Sequence, residues 1–244
     1  MAMSMGKACF CQKPLTHSIY EARHIGELAK KMKVATQMGN QGTSGNGLRK
    51  ASAHIRAGRL GKVTEVHVWT NRPIWPQGGT RGPAIDVPKG LDWDLWLGPA
   101  PKRPYASGYA PFAWRGWWDF GTGALGDMAC HTVNLPFMAL DLRNPTSVVA
   151  ETSGNNKDSY PKASKITFQF PGNKDRGPIT MYWYDGDNMP PESVTAPALA
   201  ETGQKKPATS ACMIIGDKGS VYSPGDYGQT NFFIGLGDLP EIDY

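Results

Sequence analysis

Apolar residues recur at two periods along this chain, and where the period changes predicts the elements. "KACFCQKP" (7–14) reads as a short apolar strand that Pro14 ends. Ser18-Ile19-Tyr20-Glu21 then supplies a Ser-x-x-Glu capping box, and Ala22, Ile25, Ala29 and Met32 follow at helical spacing. Lys30, Lys31 and Lys33 fall in the last turn of that helix, where the dipole favours cations. "VATQMGNQG" (34–42) is a second strand running into a glycine-rich loop. Strand, helix and strand in about thirty residues make one βαβ unit with parallel strands and a right-handed crossover. Two strands are too few to stand alone, so the unit must pack on something else.

Beyond residue 47 the pattern shifts toward period two. A helix is predicted over 48–61, with Gly61 as its C-cap, followed by a β-branched strand over 62–73. Residues 74–112 are rich in proline and read as irregular loop, with a helical turn around "DWDLWLG". A helix follows over the stretch that carries Asp127 and His131. From 144 onward strands dominate. "TSVVAETS" is one; "SKITFQFP" sets Ile166, Phe168 and Phe170 on one face; "PITMYWYDG" alternates Ile179, Met181 and Trp183 against Thr180, Tyr182 and Tyr184. "CMIIGDKGSVYS" is a hairpin about Gly-Asp-Lys-Gly. The predicted class is α+β: an open, mostly antiparallel or mixed sheet with helices on one face, preceded by a single βαβ unit.

Composition narrows the function classes. Apolar residues at 40% and charged residues at 19% describe a chain that buries a core. The net charge of +5 is mild and scattered, unlike the one-sided basic face of a nucleic-acid binder, so no nucleic-acid partner is expected. No stretch has the apolar length to cross a membrane and "MAMSMGKACFCQKP" has no apolar signal core, so a cytoplasmic location is expected. Cys9, Cys11, Cys130 and Cys212 form a CxC and two distant singles, which is not zinc spacing; reduced thiols and no metal site are expected.

The chemistry concentrates in "GALGDMACHTVNL" (123–135). Asp127, His131 and Asn134 stand at i, i+4 and i+7, along one edge of a helix. A carboxylate beside an imidazole can set its tautomer, and the pair can take a hydroxyl proton and return it. The plainer alternative is an acid at a helix start and a histidine that only packs. Around them Trp93, Trp96, Trp114, Trp117 and Trp118, with Tyr105, Tyr109 and Phe112, crowd into 26 residues. Such rings suit the apolar faces of sugars, whose hydroxyls seek groups such as Arg115, Asp119 and Asn134; equally, they suit the core of a region without regular structure. Arg115, Trp117, Trp118, Asp119 and Asn134 are the expected substrate-binding set. Lys13, at the end of the first parallel strand, stands where α/β proteins bind ligands.

Taken together, Gln12-Lys13-Pro14, the Asp127/His131 pair four apart, and the phrases "GKVTEVHVWTNRP" and "WRGWWDFGTGALGDMACH" resemble the glucose–fructose oxidoreductase, inositol dehydrogenase and MocA (Gfo/Idh/MocA) family over nearly the whole chain. The family motif is Glu-Lys-Pro; Gln12 departs from it and leaves the lysine in place. The resemblance implies that residues 1–46 are a remnant of a dinucleotide-binding Rossmann domain and 47–244 a substrate and oligomerisation domain. It implies His131 as acid/base, Asp127 as its partner, and Lys13 polarising the reacting oxygen of a sugar or polyol, with NAD(P) as hydride carrier. The chain has no GxGxxG and no acid suitably placed after "QGTSGNGLRK", so no cofactor-binding residue is assigned and impaired cofactor binding is expected. On this reading the chain starts several strands into the family's first domain. Two alternatives stand beside it. One is a glycoside hydrolase working without tightly bound nicotinamide, with Asp127 and Asp119 as paired carboxyls and Asp92, Asp94 or Asp185 further off. The other is a non-catalytic sugar-binding module. A homo-oligomer through the open sheet face is expected.

Overall fold

The computed structural model describes residues 1–244. The first part is the anticipated βαβ unit: strand β1 (Cys9–Gln12), helix α1 (Ile19–Met32) and strand β2 (Thr36–Gly39), with β1 and β2 parallel and forming a two-stranded sheet of their own. The capping box closes as read: the Ser18 hydroxyl accepts from the Glu21 amide, and the Glu21 carboxylate accepts from the Ser18 and His17 amides.

Helix α2 (Asn46–Arg56) leads to β3 (Val63–Trp69). The helix stops five residues before Gly61, because Gly58 already turns the chain at φ 73°. A long loop follows, with one short helix α3 (Trp93–Leu97) capped by Asp92. Then come α4 (Gly123–Thr132) and α5 (Asn134–Leu140). The break between them at Val133 has a local cause. Pro136 lacks the N–H that would bond back to Thr132, so the helical ladder cannot run through. The remaining elements are β4 (Ser147–Thr152), β5 (Ser164–Phe170), β6 (Ile179–Asp185), α6 (Glu192–Thr202), β7 (Ala211–Gly216), β8 (Ser220–Pro224) and β9 (Phe232–Ile234).

Seven strands form one open mixed sheet in the order β4-β5-β6-β3-β7-β8-β9, parallel only between β3 and β6. Period-two alternation sorts its side chains. Val66, Val68, Ile166, Phe170, Ile179, Met181, Trp183, Cys212 and Ile214 meet α2, α4 and α5 in the main core. Trp69, Tyr184, Ala211, Met213 and Tyr222 point to the other face. That face is partly covered by α6, through Ala198 and Val194, a helix the sequence pattern does not announce. The α6 segment has Pro197 in its interior and no apolar stripe, so neither usual signal is present. Short β9 was likewise unread.

The loop of 74–120 has its own small core. Tyr105, Tyr109 and Trp117 are buried, with Trp93, Trp96 and Phe120 packed around them, and Trp93 stacks on Trp96 and on Tyr109. Most of the tryptophan cluster therefore builds this loop. No helix is long and apolar enough to cross a membrane, and all four cysteines are free thiols.

Candidate functional site

Helix α4 places Asp127 and His131 one turn apart, and both are buried, at 6% and 3% exposure. The end of β1 brings Lys13 onto the same helix from 114 residues away. Its ammonium donates to the Asp127 carboxylate at 2.8 Å and to the Asp127 main-chain carbonyl at 2.7 Å. Arg115 donates to the same carboxylate oxygen, through Nε at 3.0 Å. The guanidinium also lies over the rings of Phe112 and Trp114 and donates to the Phe112 carbonyl.

Asp127 is therefore the partner of Lys13 and Arg115; no hydrogen bond joins it to His131. The sequence spacing put the two on one face, but a doubly cation-bound carboxylate oxygen outcompetes a neutral ring. His131 stands apart, its Nδ1 buried and without a partner. The ring meets Tyr227 edge-on, centroids 5.0 Å apart. Burial holds the imidazole below its usual pKa, and the Lys13 ammonium pushes the same way; Asp127, Asp226 and the Gln41 carbonyl oppose them. The ring is thus neutral at pH 7 and fit to accept a proton. Next to it, burial pushes the Cys130 thiol up to about 11, which leaves it unreactive.

The expected substrate-binding residues divide. Trp118 stacks on Tyr160 (centroids 3.7 Å) and helps line a cavity of about 280 Å³ between the start of α4 and β5–β6. Its main-chain carbonyl accepts from His17 at 2.8 Å. Asn134 begins α5 rather than continuing the Asp127/His131 edge, and donates to Thr43 at 2.7 Å, beside Asn40, which donates to Thr43 and to the Cys130 carbonyl. Trp117 and Asp119 are corrected by their surroundings. Trp117 is buried in the loop core and donates to the Gly108 carbonyl. Asp119 is clamped by Arg81 and Arg103, so its carboxylate braces the loop. Arg115 faces Asp127, where its side-chain donor Nε is already committed.

The hydrolase alternative needs one carboxyl kept as an acid opposite a free carboxylate. Asp127 and Asp119 are each already paired with two cations, Lys13 and Arg115 for the first and Arg81 and Arg103 for the second. Asp185 is raised by burial but is enclosed by donors from Ser164 and Trp183, and Asp92 caps α3.

A dinucleotide needs free amides at a helix start for its pyrophosphate. The residues present do not fit one. The α1 start is filled by its own Glu21 carboxylate. The glycine loop before α2 is packed against residue 229: a Cβ on Gly47 would fall 2.0 Å from the Gln229 carbonyl oxygen, and one on Gly45 would strike its side chain.

Residues 55–189 match the family described as "Oxidoreductase family, C-terminal alpha/beta domain" of the Gfo/Idh/MocA group. The chain belongs to that family. No curated protein matches it. Among solved structures it is similar in fold to the WlbA dehydrogenase of Chromobacterium violaceum in complex with NADH and UDP-GlcNAcA (TM-score 0.58, 16% identity, covering 98% of this chain and 55% of that one). It is also similar to an inositol dehydrogenase homolog of Azotobacter vinelandii complexed with NADH and myo-inositol (0.57, 16%, 98% and 50%). A third is the aldose-aldose oxidoreductase of Caulobacter crescentus complexed with glycerol (0.51, 16%, 98% and 59%). The chain spans about half the length of these structures.

Proposed function

We propose that this chain provides the substrate side of a carbohydrate-directed oxidoreductase, with His131 accepting the proton of a sugar or polyol hydroxyl. Oxidising a carbinol removes a proton from oxygen and a hydride from carbon; the residues present answer to the first. Lys13 has three N–H donors and spends two on Asp127, so one is left to polarise the hydroxyl oxygen. Asp127, fixed by Arg115, holds that ammonium in place. Trp118 offers a ring face to the sugar. The observation that carries the reading is the convergence of Lys13 and a buried, neutral His131 on α4, within a family of oxidoreductases. The substrates named for similar structures, a nucleotide sugar acid and myo-inositol, support the substrate class. The uncovered part of the sheet, around β4 and β5, is where we place self-association, and the free thiols fit a reducing, cytoplasmic setting.

The test is binding. Titration of myo-inositol and a panel of hexoses, followed by ligand-observed NMR, should show saturable binding that His131→Ala and Lys13→Ala weaken at least tenfold. Undiminished binding in both variants would reject this site. Calorimetry with NAD and NADP at millimolar concentration should give no saturable heat, because the pyrophosphate has no cradle.

A further inference from the structure

Besides Asn40 Oδ1, two buried polar atoms near the site have no partner. One is Nδ1 of His131 and the other is Oδ1 of Asp226. They are complementary, since an imidazole N–H donates and a carboxylate oxygen accepts. Buried polar groups are almost always paired, so two orphans of opposite character call for an explanation.

Local sequence explains how Asp226 arrives there. "GDYG" (225–228) links β8 to β9, and both of its glycines take positive φ, 85° at Gly225 and 67° at Gly228. An L-residue with a Cβ would resist either position. The two glycines therefore present Asp226 and Tyr227 as a pair on a tight turn. Tyr227 meets the His131 ring edge-on, and Gly42 of the preceding loop closes over its backbone so tightly that a Cβ there would lie 2.7 Å from the Tyr227 Cβ. The neighbouring Asp226 is close enough for its charge to act on the imidazole. Its second oxygen, Oδ2, lies 3.7 Å from Arg72.

We propose that Asp226 is the positioning carboxylate of His131, taking the Nδ1–H directly after a small side-chain rotation or through one water, so that Nε2 is left as the base. The proposal rests on the proton-accepting reading of His131 given above and assigns its orienting partner to the turn after β8 instead of to Asp127. When Nε2 takes a substrate proton, the imidazolium charge is met by Asp226 at the far nitrogen. Asp127 remains with Lys13 and Arg115, and the two carboxylates divide the work. The other groups facing the ring are accounted for: Lys13 from the end of β1, the Gln41 carbonyl after β2, and Cys130 on α4. None of them is a carboxylate. Arg72, behind Asp226, tunes it.

Histidine ¹⁵N NMR of the whole chain reads this without substrate or turnover, so a failure of sugar binding does not decide it. In the wild type the neutral ring should carry its proton on Nδ1. Asp226→Asn, a near-isosteric change, should move the His131 titration midpoint down by about one pH unit. Arg72→Gln should move it up, because it unmasks the carboxylate. A purely structural role for either residue would not give opposite signs. A proton resting on Nε2 in the wild type, or a midpoint that neither variant moves, would overturn the assignment.

Discussion

Residues 1–46 and 47–244 obey the same local rules with opposite results. Both form the elements their patterns predict. In the first segment no residue is buried: α1 has a complete capping box and an apolar row, yet Ile19 and Tyr20 are largely exposed. In the second, seven strands share one sheet whose helix-side face is the main core. Propensity and caps are enough to shape a helix, but burial needs a neighbour that covers it, and two strands do not provide one. The first segment is held to the second by polar contacts: Lys13 to Asp127, His17 to the Trp118 carbonyl, and Asn40 to the Cys130 carbonyl. The same Lys13 ion pair both docks the segment and belongs to the proposed site.

The sharpest way to break the comparison is to remove apolar bulk from each side. Trp183 is fully buried on β6 and its indole donates to Asp185. Trp183→Ala should cost about 3–5 kcal/mol in urea unfolding. Ile19→Ala, in α1, should cost under about 1 kcal/mol in the same experiment, since Ile19 is 79% exposed and little of its surface leaves water. Comparable losses would mean the first segment is packed as tightly as the second. Lys13→Ala comes next. It removes a charged donor from a buried carboxylate, which should cost about 1.5–3 kcal/mol. Hydrogen exchange should show amides of 1–46 opening while β3 and β6 stay protected.

Acid sharpens the contrast through the buried histidines of the second region. His54, His67 and His131 are all held below the usual imidazole pKa, each chiefly by burial. A base whose folded pKa is depressed binds its proton more readily when unfolded. Stability is therefore fully present above the unfolded value, about 6.5, and is lost as pH falls from there toward the folded values. The urea midpoint of the sheet domain should drop as pH falls below about 6.5. Replacing His67 with Gln should flatten part of that slope. His67 is bonded to Glu65 and Tyr184 on the sheet's second face, so Gln can keep one of those bonds without charge.

How much of this was legible in the sequence follows from the range of each cause. The capping box, the alternation in β5 and β6, and the hairpin of β7 and β8 are encoded within a few residues, and the pattern reads them. The α4 edge was legible as spacing, and Lys13 as a strand end. What spacing cannot show is competition. Asp127 is four residues from His131, but Arg115 and Lys13 reach it first, and that requires the loop and β1 to arrive from elsewhere in the chain. Trp117 and Trp118 are adjacent and look alike in sequence; one is buried under Tyr109 and the other lines a cavity, because successive residues there face opposite ways. Asp226 was missed altogether. Its only local mark is the pair of glycines around Asp-Tyr, which announces a turn and says nothing of what the turn faces. Helix α6 was hidden by the proline in its interior and by its lack of an apolar stripe.

The smallest expected effect tests whether local signals act alone in 1–46. Ser18→Ala deletes the hydroxyl that accepts from the Glu21 amide and leaves Glu21 to cap by itself. N-cap losses of this kind cost about 1 kcal/mol. Because α1 has no buried residue, that cost should stay within the helix. Amide exchange over 19–24 should rise several-fold, while the urea midpoint of the sheet moves by no more than about 0.2 kcal/mol equivalent, the usual scatter of an uncoupled site. If the sheet were destabilised as much as the helix, α1 would be coupled to the core through contacts stronger than its polar tethers, and the division between the two regions would fail. Transmission through His17 is the route to check, since its bond to the Trp118 carbonyl begins one residue before the cap.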